Sequence, residues 1–344
     1  MRAAVVREFK QDLSIETVDD PACPDNGVIL EVLACGVCRS DYHGWVGGHP
    51  KVTNGSIMGH EYCGTVVEAG PNAKFKVGDR LIAPFILGCG SCHECAKGTS
   101  NACEQAIVPG FGDPGAYAQF VAVPYDHNLV HLPETMSPAL AAGLGCRVTT
   151  AWHALTDRAA LRAGEWVAIH GTGGIGLSAL LLAKMLGARV VAVDVVEEKL
   201  QHARQLGADA TVNALEGDPA AVIRDITEGG ADVSLEALGI ESTTNASVEC
   251  LRTLGRHVHV GMPAGSGQMQ INMRAIYGKQ LAFFGTRGMP SWKYPSLLGF
   301  IDRGDVDLSP MVAREISLSK ASDELRAMGG PTAPGTAVIT DFTS

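Results

Sequence analysis

The chain has few aromatic residues and no apolar run approaching the length of a bilayer-spanning helix, which excludes a helical membrane protein. Its opening stretch, MRAAVVREFKQDLS, lacks the apolar core of a secretory signal, so the expected compartment is the cytoplasm. Positive charge is scarce as well. The 27 Lys and Arg stand against 37 Asp and Glu, and a surface of net charge -10 is repelled by phosphate. Nucleic acid and membrane are therefore not expected partners. What is abundant is glycine, 41 residues of it, within a 46% apolar composition that suits a soluble α/β enzyme rather than a disordered chain. At 344 residues the sequence exceeds what one core usually organises, so two domains are expected.

Ten cysteines in a reducing compartment do not form a disulfide framework, and clustered ones point to metal. Cys89, Cys92, Cys95 and Cys103 lie in CGSCHECAKGTSNAC with gaps of two, two and seven residues. Four thiolates from one turn-rich loop close a tetrahedral site completely, which describes a structural zinc with no corner left for chemistry. His93, inside the cluster, is expected to face solvent because the four sulfurs already saturate the ion. Cys23, Cys35, Cys63 and Cys250 read as small buried apolar residues.

A second metal constellation is spread along the chain. CGVCRSDYH, from Cys35 to His43, and GHE, from Gly59 to Glu61, hold a thiolate and an imidazole, Cys38 and His60. A catalytic zinc takes three protein ligands and keeps one open position. Cys146, in GLGCRVTTAW where the first half gives way to the second, is the candidate for the third. Glu61 is either an alternative ligand or the structural partner of a cation. Asp41 is a candidate carboxylate for the other ring nitrogen of His60, since ligating histidines generally donate to one.

Up to about residue 130 the chain shows short β-prone runs broken by Pro, Gly and Asp, the pattern of a compact β-rich domain. An Ala-rich helical segment follows, with Ser137 and Pro138 as its start signal. From Glu165 apolar strands alternate with amphipathic helices: WVAIHG, RVVAVD, DATVNA, DVSLEA, RHVHVGM and LAFFGT are six expected strands of a doubly wound parallel sheet. GTGGIG follows the first of them and opens a helix. Its Gly171 permits a tight turn, Gly173 lets backbone approach a pyrophosphate, and Gly176 allows helix to pack on strand, with Gly174 and Ile175 completing the loop. Asp194 ends the next strand 18 residues beyond Gly176. A carboxylate there accepts from ribose hydroxyls and repels a 2′-phosphate, favouring NAD over NADP. LAFFGT would be the sheet's last strand, unguarded by charge or proline, and such an edge invites pairing with a second copy.

On these motifs the sequence resembles the zinc-dependent medium-chain alcohol dehydrogenases almost end to end. The resemblance implies a β-rich GroES-like catalytic domain over 1–146, carrying a structural zinc lobe at about 88–104. It implies a six-stranded Rossmann cofactor domain over 147–285 and a return segment, 286–344, that completes the catalytic domain. By residue, it implies Cys38, His60 and Cys146 on the catalytic zinc, Ser40 taking the substrate proton, and His43 as exit of the relay. It also implies Arg39 on the cofactor pyrophosphate, Thr150 beneath the nicotinamide and Lys199 at the adenosine ribose. One departure stands out: PGTAVITDF has Thr336 where many members have a pyrophosphate-binding Arg, and Arg287 in FGTRGMP is a candidate substitute cation. Trp45, Phe85 and Met262 flank these segments and are candidates for an apolar substrate pocket. The expected activity is reversible oxidation of an alcohol to an aldehyde or ketone with hydride transfer to NAD, two zinc ions per subunit, and a homotetramer built as a dimer of dimers. A polyol dehydrogenase of the same superfamily is the nearest alternative, although it would tend to replace a Cys ligand with a carboxylate. A non-catalytic NAD-binding sensor would be expected to lose ligands or relay.

Overall fold

Val28–Gly36, an almost continuously apolar strand, runs through the middle of the first compact unit in the computed structural model. The structure describes residues 1–263, 267–330 and 335–344. Val28–Gly36 pairs antiparallel with Glu61–Ala69 on one side and with Thr336–Asp341 on the other, while Phe120–Val123 pairs with its first half. Beyond these, Arg80–Ile82 and Val130–His131 extend one edge and Val312–Ser317 the other, so seven strands form the sheet. Two bulges in the central pairing, at Ile29/Leu30 and between Val32 and Ala34, bend the sheet. The core beneath it is built from Leu30, Tyr62, Leu81, Leu87 and Tyr117. This is the compact β-rich domain expected from the β-prone runs, completed by the C-terminal return segment as the family resemblance implies. The unit comprises 1–149, 288–304 and 308–344.

The second unit spans 150–287 with 305–307 and contains six strands, every neighbouring pair parallel. Their order is Ala210–Asn213, Arg189–Asp194, Trp166–His170, Ala231–Glu236, Leu251–His259 and Ala282–Gly285. The first three run outward from Trp166–His170 in one direction and the last three in the other, which is the doubly wound Rossmann arrangement. Helices on both faces bury the central strands, and these accordingly read as Val, Ile and Ala runs without alternation. All six expected strands are present. Ala282–Gly285 is the terminal one, with Phe283 42% exposed.

The Ala-rich bridging segment is helical from Pro138 to Arg158, its start capped by Ser137, whose hydroxyl accepts from Leu140 N at 3.3 Å. The helix is not uniformly α: Leu144–Val148 and Ala154–Arg158 are π-helical turns. Such turns are wider than α-turns and commonly mark functional positions. Cys146 lies on the first. No helix among the described residues is long and apolar enough to cross a membrane.

Candidate metal centres and cofactor loop

The register of the central pairing explains how Cys38 and His60 meet. Gly36 lies opposite Glu61 in an antiparallel ladder, so the residue two beyond one strand and the residue just before the other emerge at the same end of the sheet. The π-turn brings Cys146 to that end as well, fixed where Phe85 N donates to Gly145 O at 3.2 Å. Ligand atoms of Cys38, His60, Glu61 and Cys146 all lie within 4.8 Å of one another. Four donors converging from three segments in a buried pocket would repel or strand one another unless something binds them.

The imidazole is arranged as a metal ligand would be. His60 Nδ1 lies 2.9 Å from Asp41 Oδ1, the pairing expected for a ligating histidine, while its buried Nε2 has no hydrogen-bond partner among the described residues. Asp41 Oδ2 also accepts from Cys38 N at 3.0 Å and from Tyr117 Oη at 3.2 Å, so one buried carboxylate orients two candidate ligands. The Cys38 thiol is held well below its ordinary pKa, first by a hydrogen bond from Cys146 and further by His60, and Cys146 is held correspondingly high. Two sulfurs and one imidazole fit zinc with an open corner. Phe85 and Phe111 stand edge-on to the His60 ring at 5.8 and 5.2 Å.

Ser40, Asp41 and His43 lie on the short helix Arg39–Trp45, which Cys38 caps. Ser40 and His43 are half-buried, and burial, helped by the Arg39 charge, lowers the His43 pKa so that its ring stays neutral. Arg39 is exposed, donates to Met328 O and lies 5.2 Å from the Tyr42 ring centroid. Trp45 is buried in the first unit's core, its indole N–H donating to Gln11 O at 2.6 Å.

Cys89, Cys92, Cys95 and Cys103 also bring their sulfurs within 4.8 Å of one another. Cys92 Sγ and Cys103 Sγ are 3.7 Å apart, far beyond a disulfide bond and close to the roughly 3.8 Å edge of a tetrahedron with bonds of about 2.3 Å. Backbone N–H groups of Cys92 and Cys89 point at the sulfurs of Cys89 and Cys103, each at 3.4 Å. Such donors, from Ser91 above all, lower Cys89 to about 6 and favour a thiolate. His93 is exposed beside Glu94. Of the remaining cysteines, Cys35, Cys63 and Cys250 are buried as expected. Cys23 is not: it sits half-exposed in the proline-flanked loop before Val28–Gly36, where no core reaches it.

In the second unit Gly171 adopts φ +94, the turn expected of it, and a side chain on Gly176 would collide with Gly171 O. In front of Gly173 a Cβ would meet nothing within 4 Å, leaving the start of helix Gly174–Met185 open to a ligand. Asp194 ends its strand beside this loop. Its Oδ2 accepts from Thr172 N and Thr172 Oγ1 at 2.9 and 2.8 Å, and its Oδ1 from Val195 N at 2.8 Å. Lys199 is half-buried on helix Glu197–Gln205, Thr150 is buried, and Arg287 and Met262 are exposed.

The profile described as "Alcohol dehydrogenase GroES-like domain" matches residues 24–134 and that of "Zinc-binding dehydrogenase" matches 174–303. An alcohol dehydrogenase of Geobacillus stearothermophilus is 37% identical over 76% of this chain and 78% of its own length. The chain belongs to the zinc-type medium-chain alcohol dehydrogenase family. An uncharacterized zinc-type alcohol dehydrogenase-like protein of Haemophilus influenzae is 33% identical over 83% of this chain and 82% of its own. Alcohol dehydrogenase TADH from Thermus sp. ATN1 superposes with a TM-score of 0.92 at 29% identity, covering 99% of this chain and 100% of that one.

Sequence reasoning missed one part of this dehydrogenase's candidate metal pocket. Arg147, 5% exposed, pairs with Glu61 through two contacts, Nε to Oε1 at 3.1 Å and Nη2 to Oε2. It also donates from Nη1 to Thr336 Oγ1 and from Nη2 to Val37 O at 3.3 Å. Burial pushes the Glu61 carboxyl up and the guanidinium pulls it back. Thr336, noted for standing where an Arg was expected, is thus buried as an acceptor for a different Arg. The available signal was a lone cation inside the apolar segment GLGCRVTTAW, which demands a buried carboxylate. Tyr117 and Phe111 carried no such signal.

Proposed function

We propose that this chain catalyses the reversible, zinc-dependent oxidation of an alcohol to an aldehyde or ketone with hydride transfer to NAD. The supporting observation is His60, with Nδ1 committed to Asp41 and a buried, unpartnered Nε2 converging with Cys38 and Cys146. Zinc in that cage supplies a Lewis acid with one free position, and NAD supplies the hydride acceptor. Asp41 orients the ligands. Ser40 takes the proton of the substrate hydroxyl, and the neutral His43 accepts it and hands it to water. Phe85 and Phe111 exclude water and favour an apolar alcohol over a polyol. The Gly171–Gly176 loop receives the pyrophosphate, and Asp194 repels a 2′-phosphate. The four-Cys loop holds a second zinc without catalytic role. The exposed strand edge Ala282–Gly285 supports a sheet-extending dimer, read as the building block of a cytoplasmic homotetramer.

The test is zinc counting on the wild type and on Cys38→Ala and Cys146→Ala, with a panel of primary, secondary, aromatic and polyhydric alcohols against NAD and NADP. Two zinc ions in the wild type, one in each variant, and a loss of turnover of about a thousandfold or more are expected. Near-normal NAD-linked turnover in either variant would refute the assignment.

A further inference from the structure

Glu61 is the fourth member of the converging donors, and its carboxylate lies within 4.8 Å of the two sulfurs and the imidazole. The edge of a tetrahedron of zinc ligands is only about 1 Å shorter than that limit, so a modest side-chain rotation would bring a carboxylate oxygen into the fourth corner. A corner filled by the protein's own anion is closed to substrate. Something must hold the carboxylate aside, and the structure provides one cation that does so.

Arg147 follows Cys146, its Nη2 reaches the carbonyl of Val37 beside Cys38, and its fork grips Glu61 beside His60. One buried guanidinium therefore binds the neighbour of two ligands and is itself the neighbour of the third. Its remaining nitrogen donates to Thr336, the first residue of the strand that lies against Val28–Gly36. A side chain at Gly36 would occupy the position of Glu61 Oε2, so the strand is cleared where the carboxylate must sit to meet the fork. We propose that Arg147 is a positioning residue that keeps the metal's fourth corner open by retaining Glu61 and fixing the backbone beside all three ligands. This rests on reading Cys38, His60 and Cys146 as the catalytic ligands. A lysine could match the charge but not the geometry, because only a planar fork reaches a carboxylate, a hydroxyl and a carbonyl at once.

The experiment uses the full chain loaded with cobalt at the three-ligand site, with imidazole as the probe of the open corner and the visible absorption of cobalt as the readout. Wild type binding two metals but Arg147→Met taking imidazole at least about tenfold more weakly, with a shifted cobalt spectrum before imidazole is added, is the expected result. Arg147→Met/Glu61→Gln, which removes both charges, should recover the wild-type imidazole affinity. An Arg147→Met chain that is less stable yet shows the wild-type spectrum and affinity overturns the proposal, because Arg147 is then a structural clamp only. Where Arg147→Met does not fold, the same titration is read on Arg147→Lys, and a wild-type affinity there overturns the proposal equally. A wild type that binds a single metal instead fails the underlying ligand assignment, which the metal count reports separately from the imidazole titration.

Discussion

Asp41 holds three hydrogen bonds with one buried carboxylate, to His60, Cys38 N and Tyr117. Asp41→Asn keeps the shape but removes the charge that secures the tautomer leaving Nε2 free. Affinity at the three-ligand site is expected to fall about 10- to 100-fold while the four-Cys site is unchanged, measured by chelator competition. Equal losses at both sites would show a general unfolding instead. His43 makes a kinetic prediction whose sign follows from its lowered pKa. Its ring accepts a proton at any pH above that value, whereas a variant depends on solvent base, which grows scarcer as pH falls. For His43→Ala, alcohol oxidation should slow by about tenfold to a hundredfold, with the deficit growing from alkaline pH toward neutrality and closing only once the wild-type ring is protonated. A deficit constant across the kcat profile would remove His43 from the relay. At this scale Cys38, His60 and Asp41 were legible because each stands in a short segment whose spacing carries the chemistry. Arg147 was not, because its meaning depends on Glu61, 86 residues earlier, and Thr336, 189 later. Long-range pairing leaves no periodicity in a single sequence.

The four-Cys loop is an element with almost no core. The helical turns His93–Ala96 and Ser100–Ala102 bury none of their side chains, so the sulfurs and whatever binds them must supply the order. Contacts from outside hold its base: Asn128 accepts from Gly88 N at 2.8 Å and donates to Gly88 O at 3.0 Å, His127 Nε2 lies 2.9 Å from the same carbonyl, and the Trp292 indole donates to Gly98 O at 2.7 Å. Cys92→Ser is expected to lose one zinc, to expose the chain between Cys89 and Cys103 to limited proteolysis, and to leave the parallel-sheet unit intact. Cleavage no faster than in the wild type would show that the loop is held without metal. The cluster itself was fully readable because all four cysteines are local. Trp292 lies 194 residues from Gly98 and had no sequence signal as an anchor. The same contrast applies to the parallel sheet. Its central strands announce themselves as apolar runs buried on both faces, whereas the π-turn that aims Cys146 follows from helix packing that no propensity encodes.

Acid response is a property of the whole chain that two buried histidines of the parallel-sheet unit should dominate. His170 lies against Cys250 Sγ at 3.7 Å, and His257 Nδ1 sits 3.1 Å from both Ser234 and Ser247 hydroxyls. Neither has an anion to balance a proton, and burial lowers them to about 4 and about 3. Both are depressed bases, so between the unfolded value of about 6.5 and those folded values the unfolded chain binds more protons and stability falls with pH. His170 alone would cost about 3 kcal/mol once pH has dropped through about 4, and His257 about 5 kcal/mol once it has dropped through about 3. The net charge of -10 works the other way, since acid relieves self-repulsion, so a loss in this window cannot come from global charge. The difference in apoprotein urea midpoint between wild type and His170→Asn/His257→Asn, followed from about pH 7 to pH 5, isolates the effect, because Glu61, pushed up to about 8 by burial, contributes equally to both. The wild-type midpoint should fall steadily relative to that of His170→Asn/His257→Asn as pH drops, and equal slopes in the two would mean that both rings are solvated and free to charge in the native fold.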